Sequence, residues 1–360
     1  MAVGQHGTIL AKRGEYDAAL ACFAETEAIA RLLDDRRSLA LSLGNRGYIH
    51  LDRGEYDKAL DCCLEREAIA REQGDHLTIA DVAGERGIIY TYCGKHDDAV
   101  ECYRTQERIV RQFGFRAGIA ACVGNRGLLH LDRGEYADAA ACFFEHEQIA
   151  QELGDRLSFA DALCNRGSVH LAEGELDKAL SCFSSASSES RSIQHRLGLV
   201  MAIEGIVQVF LELLDSASRT TSADAKIPEF LESYLPGATP ETWRALVLLG
   251  GRTYADEGLS ISHQLSKPDS IFRIQILLAR INAAQGNRDT AVQSLSTMLH
   301  EAGDDEQRAE LHYWLWKITG TNDGVRIEAL RQYEQLIEKS PKHAYRQRIK
   351  ELNAAATTAR

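Results

Sequence analysis

The chain has 360 residues, 44% hydrophobic and 26% charged, which supplies enough apolar side chains for a buried core and excludes a largely disordered protein. Its formal net charge of -12 disfavours phosphate backbones and anionic lipid headgroups, so we expect neither nucleic acid nor a membrane among its partners. Only 5 prolines interrupt a composition rich in helix-forming residues, which predicts an all-α protein. No basic-then-apolar leader is visible, and we expect a cytoplasmic location.

The first part of the chain contains five repeats of forty residues. A shift of forty residues superimposes two columns of glycine and one of alanine without insertions. The columns are Gly7, Gly47, Gly87, Gly127 and Gly167; Gly14, Gly54, Gly94, Gly134 and Gly174; and Ala19, Ala59, Ala99, Ala139 and Ala179.

Each repeat is predicted to form a helix hairpin. The second glycine column separates two amphipathic runs, and a left-handed glycine there ends one helix before the next begins. In the second repeat we expect helix A from Leu39 to Arg53 and helix B from Glu55 to Gln73. A third glycine set, Gly74, Gly114 and Gly154, closes helix B, and Asp75 and Asp155 are placed to cap the helix that follows.

These columns resemble the tetratricopeptide repeat signature, in which an aromatic, a Leu-Gly pair, a Tyr, an Ala and a second aromatic are spaced along a helix hairpin. In the fourth repeat the corresponding positions are Val123, Arg126, Gly127, His130, Ala139 and Phe143. The forty-residue length is similar to the longer repeats of Pins, kinesin light chains and many bacterial signalling proteins. The resemblance implies a right-handed superhelical solenoid that acts as a scaffold and not as an enzyme.

Three regions follow from the repeat pattern. We expect residues 1–195 to form five hairpins, the first clipped at its N-terminus. Residues 196–225 are predicted to form a long helix and, from Ser216 to Ala225, a flexible loop. Residues 226–360 are predicted to form an irregular helical region with about two degenerate hairpins and a C-terminal cap helix. The long helix carries a polar stripe every four residues, so we predict a packed helix and not a membrane span. We expect a partner or a longer parent chain to cover the clipped N-terminal edge.

Two columns of reactive side chains have structural explanations. One consists of Cys22, Cys62, Cys102, Cys142 and Cys182, and the other of His50, His130 and His170. Equivalent helices of successive hairpins lie about 16–20 Å apart, which is too far for a disulfide or a shared metal ion. We therefore predict no metal, no cofactor and no catalytic residue. An enzyme would need its chemistry in residues 226–310, where no catalytic set is visible.

Four arginines and four glutamates form two further columns. Each arginine lies nineteen residues after a glutamate of the preceding repeat, which predicts a ladder of ion pairs across repeat boundaries with a structural role. The predicted pairs are Glu27 with Arg46, Glu67 with Arg86, Glu107 with Arg126, and Glu147 with Arg166.

The candidate binding surface is the helix A face, which lines the concave groove in proteins that the repeats resemble. Asparagine can hydrogen-bond the backbone of an extended peptide, although these amides could equally satisfy neighbouring backbone or water. The predicted groove residues are Asn45, Tyr48, Asp52, Glu85, Ile88, Tyr92, Asn125, Leu128, Asp132 and Asn165. Three of them are acidic, so a ligand with Lys or Arg is favoured.

Two functional hypotheses follow. The first is a scaffold that holds an extended peptide or helix of a partner, as the sensor or docking arm of a larger bacterial signalling system. The alternative is an intracellular receptor for a small peptide or metabolite, in which the C-terminal helices close on the repeats.

Overall fold

The computed structural model of the protein describes residues 2–219, 239–265, 267–320 and 323–358. Every regular element in these residues is a helix. The repeats form α1 (Ala2–Lys12), α2 (Tyr16–Leu32), α3 (Arg36–Asp52), α4 (Tyr56–Gln73), α5 (His76–Tyr92), α6 (His96–Gln112), α7 (Arg116–Arg133), α8 (Tyr136–Leu153), α9 (Arg156–Glu173) and α10 (Leu176–Ser192). They are followed by α11 (Arg196–Arg219), α12 (Pro240–Gln264), α13 (Pro268–Ala284), α14 (Arg288–Glu301), α15 (Asp305–Thr319), α16 (Asp323–Lys339) and α17 (His343–Thr358).

The helix ends follow from local chemistry. Gly54 and Gly74 have φ of 70° and 65°, the left-handed conformation that ends helix A and helix B. Helix A of the second repeat begins at Arg36, three residues before the predicted Leu39. The reason is Asp35, whose carboxylate accepts a hydrogen bond from the backbone N–H of Ser38 at 3.0 Å. Asp75 caps the next helix A in the same way, as the sequence predicts.

Small residues allow the two helices of a hairpin to approach closely. A Cβ added to Gly87 would lie 2.4 Å from the ring of Tyr103, which is buried on α6. Ala99, one turn earlier on α6, is fully buried as well. The glycine column therefore reflects close contact between helices, and a larger side chain would separate the hairpin.

The described chain divides into two compact units. Unit 1 consists of Met1–Leu129 with Gln148–Leu153, and unit 2 of His130–Glu147 with Gly154–Arg360. The core of unit 1 is a series of small clusters, of which one joins Leu10, Ala19, Phe23 and Ile49. The division near residue 195 remains a prediction.

The core of unit 2 is built around α11. Its apolar side chains pack with the fully buried Trp243 of α12 and with α13. Among the described residues, α11 is the one helix long and apolar enough to cross a membrane, yet 72% of its apolar window is buried inside the protein. Residues 216–219, expected in a loop, continue this helix; residues 220–225 lie outside the described residues.

The C-terminal helix α17 is more buried than a solvating cap would be. Tyr345 and Leu352 are buried, and the guanidinium of Arg348 lies 3.9 Å from the ring centroid of Tyr313. At its start the imidazole of His343 meets the ring of Tyr136 edge-on, with centroids 5.8 Å apart. The end of unit 2 therefore contacts the start of the same unit.

Candidate functional site

The four predicted ion pairs of the ladder are present. Arg46 donates to Glu27 at 2.7 Å, and Arg86 donates to Glu67 at 2.9 Å. The two remaining pairs, in the same register, are Arg126 with Glu107 at 2.7 Å and Arg166 with Glu147. Because each pair joins helix A of one hairpin to helix B of the preceding one, the ladder fixes how successive repeats stack.

A second arginine on helix B supports the carboxylate in three of these pairs. Arg71, four residues after Glu67, contacts it at 2.6 Å, and Arg31 contacts Glu27 at 3.5 Å in the same manner. Glu27 is only 1% exposed, and burial raises the pKa of its carboxyl against the opposing charges of Arg46 and Arg31. The recurring Glu-Arg spacing of four residues was a signal for this second contact in the sequence.

The exposed side of α3, α5 and α7 carries most of the predicted groove residues, and we call it the α3–α5–α7 face. It presents large apolar side chains to solvent. Tyr48 is 62% exposed, Tyr92 55% and Leu128 44%. Leu41 and Leu77 are also exposed, although sequence reasoning missed them. Leu41 lies seven residues before Tyr48 on α3, and Leu77 lies fifteen residues before Tyr92 on α5. Their helical spacing was the available signal.

Two asparagines lie among these apolar side chains. Asn45 and Asn125 are partly buried, and within the described chain neither side-chain amide has a hydrogen-bond partner. The interpretation that these amides satisfy neighbouring protein backbone therefore has no contact to support it in the described residues. Amides in this situation are available to water or to a ligand.

Asp52 and Glu85, two of the predicted acidic residues, accept hydrogen bonds from other side chains of the protein. Asp52 accepts a hydrogen bond from the Tyr16 hydroxyl. Glu85 accepts one from Arg66 of α4 at 2.5 Å, a contact that the sequence analysis did not foresee. Thus part of the expected negative charge is compensated. Asp81, one helical turn before Glu85, is exposed on the same side of α5.

Ile88 and Tyr92, two further predicted groove residues, contact neighbouring side chains. Ile88 is partly buried against the cluster of Ala99, Tyr103 and Leu129, and Tyr92 stacks on Tyr56 with ring centroids 6.2 Å apart. These contacts hold the ring of Tyr92 in place while more than half of its surface stays exposed.

Asp132 and Asn165 belong to unit 2. Asn165 is partly buried and has no hydrogen-bond partner within the described residues. Asp132 lies near the buried Tyr345 of α17; burial, followed by the charges of Glu306 and Asp132, raises the pKa of that tyrosine. We describe these two residues separately from the α3–α5–α7 face.

The histidine column forms a hydrogen bond at the end of each hairpin turn. Nδ1 of His50, His130 and His170 lies 2.6, 2.6 and 2.8 Å from the carboxylate of the glutamate five residues later. The spacing of His and Glu was visible in the sequence. These bonds join the end of helix A to the start of helix B.

Two of these dyads have a third potential metal ligand nearby. Asp138 completes one set of atoms within 4.8 Å, with His130 and Glu135, and Glu173 completes the other. However, Arg133 contacts Glu135 at 3.0 Å, and Lys178 contacts Glu175 at 2.8 Å. A metal ion would have to compete with these cations, so the geometry favours hairpin caps.

The cysteine column lies on helix B with free thiols. Burial raises the pKa of the thiols of Cys62, Cys102 and Cys182, and the pKa of the neighbouring Cys63 rises to about 12. Raised thiol pKa values oppose the reactive thiolate. The positions suit small apolar packing groups.

Comparison with known proteins agrees with this architecture. The sequence profile of the tetratricopeptide repeat family matches residues 1–72. No curated protein matches the sequence. The profile match and the hairpin geometry support the predicted resemblance to the tetratricopeptide repeat family.

Solved structures show the same all-α superhelical repeat fold. The apo form of the quorum sensor NprR from B. thuringiensis is 15% identical, with 98% of this chain and 86% of that chain covered and a TM-score of 0.59. The Rap protein complexed with Competence and Sporulation Factor is 10% identical over 96% and 82% of the chains, with a TM-score of 0.59. A signal transduction ATPase of the STAND class with a tetratricopeptide repeat sensor, from Pyrococcus horikoshii, is 11% identical, with a TM-score of 0.57; this chain matches over 93% of its length and spans 46% of that protein.

Proposed function

We propose that the α3–α5–α7 face binds an extended segment of a partner protein, and that the chain acts as a scaffold and not as an enzyme. The observation that carries the proposal is the combination of Asn45 and Asn125, whose amides have no partner in the described residues, with exposed Tyr48, Tyr92 and Leu128. Amides can pair with the backbone of the segment, and the apolar side chains can bury its hydrophobic residues.

Charge favours a segment that carries one Lys or Arg. Asp81 and Glu85 lie one turn apart on α5, and Arg66 is the cation that contacts Glu85. Two carboxylates beside one guanidinium leave a negative charge in the middle of the face. Affinity should accordingly fall as salt concentration rises.

The test is a binding measurement with a defined probe. Twelve-residue peptides are selected from a displayed random library on the full chain, and the strongest binder is titrated by calorimetry. Loss of two hydrogen bonds, each contributing about 0.5–1.5 kcal/mol, should make Asn45→Ala with Asn125→Ala bind roughly five- to a hundredfold more weakly.

Asn287→Ala provides the matched control, because Asn287 is exposed in the α13–α14 turn and its side chain makes no capping bond. It should bind as the wild type does. Equal binding of the wild type and the double variant would contradict the proposal.

A second candidate function, reception of a small peptide or metabolite, is favoured by one observation in unit 2. Helix α17 returns to the α7–α8 turn, where His343 packs on Tyr136. A ligand enclosed by this contact should raise the melting temperature of the chain, and His343→Ala should reduce that shift. A role as the sensor or docking arm of a larger bacterial signalling system, and a cytoplasmic location, belong to the first proposal, the scaffold.

A further inference from the structure

Helix B contributes side chains to the base of the α3–α5–α7 face through gaps left by glycines on helix A. A Cβ on Gly44 would lie 3.3 Å from the guanidinium of Arg66, and a Cβ on Gly84 would lie 2.5 Å from the amide of Gln106. In both hairpins the helix B side chain takes the space that a larger helix A residue would fill. Gly44 and Gly84 directly precede Asn45 and Glu85, two residues of the face, in the sequence.

Arg66 shows which residues such a helix B side chain can contact. It continues past Gly44 of its own hairpin to Glu85 of the next one, and its guanidinium contacts that carboxylate at 2.5 Å. Glu85 is a member of the face. A helix B residue in this register thus connects two successive A helices at the base of the surface.

Gln106 occupies the same register forty residues later, where Asn125 replaces Glu85. Unlike Arg66, it has no ionic partner. The Gln106 side chain is only 4% exposed, and its Oε1 is buried without a hydrogen bond in the described chain. A buried amide without a partner destabilises the folded state, and most such groups in native proteins are satisfied.

We propose that Gln106 is a specificity-determining residue of the binding face, which turns toward the bound segment and hydrogen-bonds one of its peptide groups beside Asn125. The inference rests on the proposed function. Glutamine has three side-chain torsions, and rotation about them can move the amide out of the gap at Gly84 that it fills in the free protein. Because Oε1 of Gln106 lacks a partner among the described residues, a hydrogen bond to it on binding favours the complex.

This energetic arrangement predicts opposite effects on stability and on affinity. Gln106→Leu replaces the unsatisfied amide with an apolar group of similar size, so the melting temperature of the free chain should rise by about 2–4 °C. The same change should weaken binding of the selected twelve-residue peptide about two- to twelvefold. A residue with a purely structural role would not separate the two measurements in this way.

The experiment uses the full chain, with Gln112→Leu as the control because Gln112 is exposed at the end of the same helix. The control should leave affinity unchanged. If Gln106→Leu binds the peptide as tightly as the wild type, or loses affinity only together with a fall in melting temperature, Gln106 is a packing residue and the inference is wrong.

The outcomes also separate this inference from the proposed function. If Asn45→Ala with Asn125→Ala weakens binding and Gln106→Leu does not, only the role of Gln106 is overturned. If selection yields no peptide that prefers the wild type over the asparagine double variant, the proposed function and this inference are both overturned.

Discussion

Three of the four glutamates in the ladder contact a second arginine on their own helix. Glu67 accepts hydrogen bonds from Arg86 of the following hairpin and from Arg71 of its own helix. The first contact determines which hairpins stack, and the second compensates charge within one helix. An arginine left without Glu67 would keep its desolvation penalty and lose its main partner.

Glu67→Ala should therefore lower the free energy of unfolding by about 1–3 kcal/mol, because the pair is partly buried and lies between the exposed and fully buried cases. Adding Arg86→Leu should recover much of this loss, since the double change removes the stranded charge. Urea denaturation measures both. As a control, Glu101→Ala breaks an exposed pair with Arg104 and should change stability by less than about 0.5 kcal/mol. Additive losses in the double variant would mean that the two residues act independently.

Helix ends show what the sequence could and could not predict. Glycines recur at the ends of helix A and helix B because the backbone there adopts the left-handed conformation. The hairpins could therefore be predicted from the spacing of the glycines alone. The same conformation occurs without glycine at Asp34 and Gln194, with φ of 52° and 58°. No composition signal marks these two sites. Only the forty-residue register indicates that they terminate helix B.

Gln194 offers a test of that explanation. A left-handed conformation costs a non-glycine residue about 1–2 kcal/mol, and replacement by glycine removes this cost. Part of the resulting gain in stability is offset because glycine has more conformational freedom in the unfolded state. Gln194→Gly should therefore stabilise the chain by about 0.5–1 kcal/mol, measured by urea denaturation. Gly154→Ala, at an equivalent helix end with φ of 64°, should destabilise it. A loss of stability in Gln194→Gly would show that the glutamine side chain makes a contact that outweighs backbone strain.

The binding face was only partly predictable, because some of its residues follow from the pattern of a single helix and others from contacts between hairpins. Helical periodicity places Asn45, Tyr48 and Leu128 on one side of their helices, and this requires no tertiary information. The contact between Arg66 and Glu85 depends on how two hairpins stack and on the gap at Gly44, so no pattern within a single helix reveals it. The burial of Gln106 follows from the same stacking.

The two units differ in how their A helices are used. In unit 2, α13, α15 and α17 present Arg280, Trp314 and Arg348 at intervals of 34 residues. These side chains stack on one another: the guanidinium of Arg280 lies 4.0 Å and that of Arg348 5.2 Å from the centroid of a Trp314 ring. Such contacts stabilise desolvated cations, so this surface is occupied by its own side chains. In unit 1, α3, α5 and α7 instead leave Tyr48, Tyr92 and Leu128 exposed, and for this reason we propose partner binding at these helices.

The most direct test of this assignment is site-specific photo-crosslinking in the full chain. A photoreactive phenylalanine analogue is placed at Tyr48 on the α3–α5–α7 face, or at Leu64, which is similarly exposed on helix B of the same hairpin. With the selected twelve-residue peptide, the account predicts covalent adducts from position 48 and none above background from position 64. Adducts from position 64 alone would contradict it and would place the partner on the helix B side.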